Sequence, residues 1–205
     1  MKTVCILSGM DSTTVLYKLL NEKEVYAISF NYNQRHKIEL QKARKTCEKL
    51  IPHKVIDIEF LNAITENSLT SADIDVPEHY ESEMMKQTVV YNRNPIMSNI
   101  ALSYALTIAN EIALIHSGDH AIYEDCRPEA LEALQKTADI WNKDIKFIAP
   151  YLNTDKTIIK EKELVDYSLT HTCYKNEIAC GKCGSCQERL EAFEKNEIKD
   201  PVTYE

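Results

Sequence analysis

Cys5-Ile6-Leu7-Ser8-Gly9-Met10-Asp11-Ser12-Thr13-Thr14 is the stretch that decides the fold class. An apolar run, Val4 to Leu7, ends in Ser-Gly and passes into Asp-Ser-Thr-Thr. The run reads as a buried strand. Asp11 and Ser12 read as a helix start, because both side chains can cap free backbone N–H groups. A strand that turns through Ser-Gly into a helix aims backbone donors and the positive end of a helix dipole at one point, which is a place for a phosphate. An ordinary strand–turn–helix connection has the same local pattern, so the sequence on either side has to decide between them.

Working outward, residues 2–7 read as the first strand and residues 11–21 as a helix, with Val15, Leu16, Leu19 and Leu20 at helical spacing. Glu24 to Asn31 reads as a second strand, Gln34 to Leu50 as a charged helix that Pro52 ends, and His53 to Glu59 as a third strand. The order is βαβαβ, the start of a doubly wound parallel sheet. Residues 61–91 are polar and acidic with little periodicity, and read as a long loop able to cover a site. A helix follows from Asn92 to about Asn110, then a short strand from Ile112 to Ser117 closed by Gly118. Pro128 sits in the first turn of another helix, where its missing N–H costs nothing. Ile145 to Ala149 is a fifth strand, Thr154 caps a helix running to about Tyr167, and Cys186 to Glu197 forms a last short helix. The expected fold class is α/β, a doubly wound, Rossmann-like parallel sheet over residues 1–168, with a C-terminal segment, 169–205, packed on it that carries four closely spaced cysteines and is expected to bind zinc.

Composition narrows the setting. The 205 residues are 44% hydrophobic, enough for one α/β domain with a full core. No apolar run approaches ~20 residues, so no membrane span is expected. The N-terminus enters a strand directly, so no secretory signal is expected either. A net charge of −8 disfavours stable binding to a nucleic-acid backbone. Seven cysteines without a signal peptide point to a reducing, cytoplasmic compartment.

Four of those cysteines crowd together as Cys173-x6-Cys180-x2-Cys183-x2-Cys186. Four thiolates at this spacing can close a tetrahedral Zn2+ site, with Gly181 and Gly184 allowing the tight turns. An iron–sulfur cluster or two disulfides are the alternatives. Asn31-Tyr32-Asn33-Gln34-Arg35-His36 lies at the end of the second strand, where doubly wound sheets place ligands. A solvated helix start would look the same. Asn92-Arg93-Asn94 opens a helix that is otherwise apolar. Asp125-Cys126-Arg127-Pro128-Glu129 lies just past the fourth strand; Arg127 can pair with a carboxylate and Asp125 can accept a ring N–H or bind a metal. Lys156, in a first helical turn, suits that place only beside an anion; a surface lysine is the alternative.

Together these residues resemble a known family. Ser8-Gly9-Met10-Asp11-Ser12 resembles the pyrophosphate loop of the N-type ATP pyrophosphatases. Tyr32-x-Gln-Arg-His36, Asn92-Arg-Asn94, Asp125-Cys-Arg-Pro-Glu129, Thr172-Cys-Tyr174 and Cys180-Gly-x-Cys-Gly-Ser-Cys186 occur in the order seen in the 7-cyano-7-deazaguanine synthase family, as does the ending Asp200-Pro201-Val202-x-Tyr204-Glu205. The resemblance implies a ligase that converts 7-carboxy-7-deazaguanine and ammonia to the nitrile, with ATP cleaved to AMP and pyrophosphate through adenylated acid and amide intermediates, in the making of queuosine and related 7-deazaguanines. It implies that Leu7, Ser8, Gly9, Met10, Asp11 and Ser12 hold ATP, with Asp11 acting through Mg2+. It implies Asp11, Arg93, Asp125, Arg127 and Lys156 as the catalytic set. Asn31, Gln34, Arg35, Asn92, Arg93, Asp125 and Arg127 would bind the substrate, and Cys173, Cys180, Cys183 and Cys186 would bind Zn2+. It also implies a homodimer. No glutaminase domain fits in the chain, so ammonia is expected from solution.

Two departures stand out. The loop has one glycine where the family has two, so it is one residue shorter between Ser8 and Asp11, and a phosphate cradle depends on successive N–H groups converging. Asn33 stands where the family has glycine, a mild change because Asn tolerates positive φ. Three competing readings follow: a variant that stops at the amide or adenylates another nucleobase, a tRNA-thiolating relative, and a zinc-braced binding protein that has lost turnover.

Overall fold

Thr3, Val4 and Cys5 are wholly buried, although they are consecutive residues of one strand. A strand can bury both of its faces only at the centre of a sheet covered on each side, and this strand, β1 (Lys2–Ile6), is the middle of five. In the computed structural model the described residues are 1–64, 67–71, 73–78, 86–114, 123–152 and 165–205. Gly118, Thr154 and Lys156 lie outside them.

The strands β1, β2 (Glu24–Asn31), β3 (His53–Asp57), β4 (Glu111–Ala113) and β5 (Lys146–Ile148) form one sheet in the order β3-β2-β1-β4-β5. All four pairings are parallel, with Val4 opposite Tyr26 on one side and Ile112 on the other. Among the described residues this is the doubly wound sheet expected from the βαβαβ pattern.

Alternate strand residues feed two cores. Cys5, Leu7, Val25 and Ala27 pack against Val15, Leu16 and Leu19 of α1 (Met10–Leu20), Ala43 and Cys47 of α2 (Ile38–Cys47), and Phe193 of α5 (Gly184–Lys195). Val4, Ile28 and Phe30 pack against Ala101, Leu102 and Ala105 of α3 (Arg93–Ile108) and Leu134 and Ala138 of α4 (Pro128–Trp141). The chain order reverses between β1 and β4, and the crevice at their carboxyl ends is the topological switch point of such a sheet.

Some boundaries differ from expectation. The second helix starts at Ile38 rather than Gln34, because Gln34 folds back: its Oε1 accepts the Tyr32 N–H at 3.0 Å and its Nε2 donates to the Phe30 carbonyl at 3.2 Å. Residues 165–166 are not helical, and a 3-10 turn at Tyr167–Leu169 takes the place of the expected helix end. The described part of 61–91 is not loose. Leu61, Leu69, Val76 and Val90 are buried, and Arg35 Nη1 reaches the carbonyls of Ser68, Ser71 and Ile74. Asn33 has φ 59°, the left-handed conformation that its place in the turn requires.

Candidate active site

The first turn of α1 differs from expectation. Asp11 and Ser12 do not cap the helix; Gly9 is the N-cap, with no side-chain cap bond. Ser12 lies inside the turn, where its Oγ accepts the Ser8 N–H at 2.8 Å and donates to the Gly9 carbonyl at 3.1 Å. Thr13 Oγ1 donates to the same carbonyl at 2.8 Å. These bonds close Ser8–Ser12 into a compact loop at the carboxyl end of β1.

The loop forms one wall of a cleft of about 310 Å³, with Leu7 through Ser12 all lining it. Asp11 is held there in a desolvated setting. Burial pushes its pKa up to about 6, against the opposing pull of the Arg189 guanidinium. A second wall carries Arg93, from the first turn of α3, with Tyr32 and Tyr123. Arg93 Nη1 donates to the Tyr32 hydroxyl at 3.2 Å, and the guanidinium carbon lies 5.5 Å from that ring's centre. Burial alone would lower the Arg93 pKa, but Tyr32, Tyr174 and Asp125 around it outweigh burial and raise it, so its charge is secure. Arg93 Nε donates to Asn94 Oδ1 at 3.2 Å, Asn94 Nδ2 to Cys126 Sγ at 3.6 Å, and Cys126 Sγ to Asp125 Oδ1 at 3.7 Å. Burial pushes the Cys126 thiol up to about 12, with Asp125 adding to it.

A third wall comes from His171, Thr172 and Tyr174 and from α5. Arg189, only 1% exposed, crosses beneath it. Its Nε and Nη2 grip Asp200 at 2.7 and 2.8 Å, Nη1 donates to Thr170 Oγ1 at 2.7 Å, and Nη2 also reaches the Tyr167 carbonyl at 3.2 Å. Tyr204 donates its hydroxyl proton to Asp200 as well, at 2.5 Å. One buried arginine thus ties α5, the 167–172 segment and the chain's last residues together.

Next to this wall stand Cys173, Cys180, Cys183 and Cys186, all buried, with their sulfur atoms within 4.8 Å of one another. None is in a disulfide. Four sulfurs about 2.3 Å from one tetrahedral ion would sit roughly 3.8 Å apart, and Cys180 and Cys186 are separated by 4.0 Å. Backbone N–H groups of Lys175, Asn176 and Cys180 point at the Cys173 sulfur at 3.4–3.5 Å, and those of Lys182 and Cys183 at the Cys180 sulfur at 3.5 and 3.4 Å. Such donors stabilise thiolates. With the Cys183 and Cys186 thiols donating to it, Cys173 has its pKa lowered despite burial. The donor set fits zinc.

The residues singled out from the sequence fall in two groups. Leu7 to Ser12 and Arg93 meet in the cleft. Asn31, Gln34, Arg35, Asn92, Asp125 and Arg127 are not on its walls. Asn31 Nδ2 bonds Asp57 and Glu59 at 2.7 and 3.1 Å, Gln34 and Arg35 bond the backbone, and Asn92 is an exposed residue with φ 61°. Asp125 and Arg127 are half-buried on either side of Cys126, which does line the cleft. Among the wall residues missed are His36, Glu39, Tyr174 and Arg189. His36 and Tyr174 stood inside quoted motifs, but nothing in the pattern of α5 marks Arg189 as a buried residue.

A loop between a central strand and a helix N-terminus, facing a switch-point cleft with an arginine and several tyrosines, defines a doubly wound α/β protein with its cleft where such sheets place their ligands. The comparisons with known proteins are specific. A family model described as queuosine biosynthesis protein QueC matches residues 2–197. The 7-cyano-7-deazaguanine synthase 1 of Colwellia psychrerythraea is 50% identical over 215 aligned positions, which cover 100% of this chain and 99% of that protein. The 7-cyano-7-deazaguanine synthase of Methanoregula boonei is 50% identical with full coverage of both chains, and that of Pseudoalteromonas translucida 49% identical with 100% and 99% coverage. The chain belongs to the QueC family of queuosine biosynthesis proteins, a family of enzymes.

Proposed function

We propose that this chain joins ammonia to 7-carboxy-7-deazaguanine at the expense of ATP, giving 7-cyano-7-deazaguanine, AMP and pyrophosphate. The observation that supports it best is the shared cleft: the Ser8–Ser12 loop and Asp11 face the same 310 Å³ space as Arg93, Tyr32 and Tyr174. A phosphate-binding loop and a cationic, aromatic wall are what an adenylating enzyme for a flat carboxylated base needs.

In this reading the N–H groups of the first turn of α1 face the phosphates of ATP, and the tight Ser8–Ser12 bonding holds them in place before the nucleotide arrives. Arg93 receives the substrate carboxylate, its guanidinium already oriented by Tyr32 and Asn94. Asp11 holds Mg2+, which when bound neutralises phosphate charge. Cys173, Cys180, Cys183 and Cys186 hold Zn2+, which when bound cross-links the C-terminal segment. Four sulfurs leave no open position, so the role of that site is structural. Asp125, off the cleft wall, supports the charge of Arg93, and Lys156 would add a phosphate contact. The α/β body spans 1–168 with the cysteine-bearing segment 169–205 against it, in a cytoplasmic homodimer fed by free ammonia. Among the described residues no helix is long and apolar enough to cross a membrane.

A pyrophosphate-release assay tests the reading. Release that depends on 7-carboxy-7-deazaguanine, and that Asp11→Ala abolishes, supports it. No release from folded, metal-loaded protein, with or without the base, overturns it.

A further inference from the structure

His36 is 2% exposed and its ring forms part of the cleft wall. Its Nε2 lies 3.1 Å from Glu39 Oε2, and Glu39, one turn further on, lines the same cleft. Its Nδ1 is buried and has no hydrogen-bond partner among the described residues. The ring leans on Tyr174, centre to centre 5.3 Å at 40°, and Tyr174 belongs to the group of tyrosines around Arg93.

Buried ring nitrogens are almost always paired, so a lone one in a cleft wall needs an explanation. The Glu39 carboxylate beside Nε2 fixes the proton on that nitrogen, because a carboxylate only accepts. With the ring neutral, Nδ1 is then a lone-pair acceptor with no partner among the described residues. A histidine kept for packing alone would do better as leucine, which leaves no polar atom unpaired. The complement of a fixed, neutral acceptor is an N–H donor on a flat ligand. A 7-deazaguanine base carries such donors on its rings and its exocyclic amine; in ATP the adenine amine is the only base N–H donor, and the triphosphate end carries none.

We propose that His36, with its tautomer set by Glu39, reads an N–H edge of the base and so decides which nucleobase enters the cleft. This rests on the functional reading above. Glu39 is a positioning residue, acting through His36.

The test separates base from nucleotide. His36→Leu removes the acceptor, His36→Asn restores an amide oxygen near the place of Nδ1, and Glu39→Gln frees the tautomer. Metal content and melting temperature report folding for each. His36→Leu is expected to raise KM for 7-carboxy-7-deazaguanine about tenfold, the worth of one good hydrogen bond, while KM for ATP stays within about twofold. His36→Asn should recover most of the loss and Glu39→Gln should fall between. Should His36→Leu not fold, Glu39→Gln and a ring-N-methylated base tested on the wild type give the same readout. An unchanged KM for the base, or an equal rise in KM for ATP, overturns the inference and leaves the functional reading standing. A wild-type chain that neither binds nor turns over the base overturns both.

Discussion

The Gly9 backbone lies so close beneath His171 that a Cβ built on Gly9 would sit 3.0 Å from the His171 carbonyl oxygen. Gly9 has φ −87° and ψ −151°, an extended conformation open to any residue, so the need for glycine here is contact rather than dihedral freedom. The loop at the end of β1 therefore rests on the segment that leads into Cys173. Gly9→Ala should push the two apart at a cost of about 1–3 kcal/mol, as for overpacked sites generally. Denaturant unfolding measures the loss, and KM for ATP should rise with it.

The same contact links the cysteine cluster to the loop. A strong chelator should remove one metal ion per chain, lower the melting temperature, and weaken ATP-dependent turnover together with it. Cys180→Ser should do likewise, since a missing thiolate breaks a four-sulfur shell. Metal analysis beside calorimetry checks this. A chelated protein with unchanged melting and activity would detach the cluster from the loop.

Arg189 and Asp200 form a buried pair, and removing one partner leaves the other charge unmatched. Arg189→Met is expected to destabilise by about 3–5 kcal/mol. Burial by itself would raise the Asp200 pKa, but the hydrogen bonds from Arg189 and Tyr204 outweigh it and lower it. The pair's stabilisation is therefore complete above the unfolded carboxylate range, near ~3.9, and is lost as pH falls through the lower folded value. Asp200→Asn should flatten that part of the acid-unfolding curve.

Asp11 has the opposite sign. Its pKa is raised by burial to about 6, so between the unfolded value and that point the folded chain holds a proton the unfolded chain has released. Its contribution to stability falls as pH rises through this window. The carboxylate needed for a divalent ion is present only above it. Plotted against pH, kcat/KM for ATP should lose activity below about pH 6 along a one-proton limb.

Cys126 sits in the cleft with its thiol pushed up to about 12. A neutral thiol is a poor nucleophile. Iodoacetamide at neutral pH should leave activity intact, and Cys126→Ser should keep it within about threefold, whereas Asn94→Ala, which cuts the bond to Arg93 Nε, should cost about tenfold in KM for the base. Rapid inactivation by the alkylating agent would mark the sulfur as reactive.

The sheet was legible because Val4–Leu7, Val25–Phe30 and Val55–Ile58 are short, mostly apolar runs between helical periods, and the first of them is apolar at every position, as a strand buried on both faces requires. The cysteine cluster was legible because ligand spacing is local. The walls of the cleft were less so. Gln34 and Arg35 look like ligand donors in sequence, yet each spends its hydrogen bonds on backbone, which depends on where the chain folds back. Arg189 reads as an exposed helical cation, and only the arrival of Asp200 from the end of the chain makes its burial tolerable. The helix start was misjudged for a similar reason: Ser12 serves Ser8 inside the turn rather than capping from outside it.

In the proposed reaction one cleft carries a carboxylated deazaguanine through to the nitrile. Mass analysis of the product after incubation with 7-carboxy-7-deazaguanine, ATP and ammonium tests it most directly. The expected product is 7-cyano-7-deazaguanine, with AMP and pyrophosphate formed alongside. An amide that accumulates and never goes on to the nitrile would contradict it.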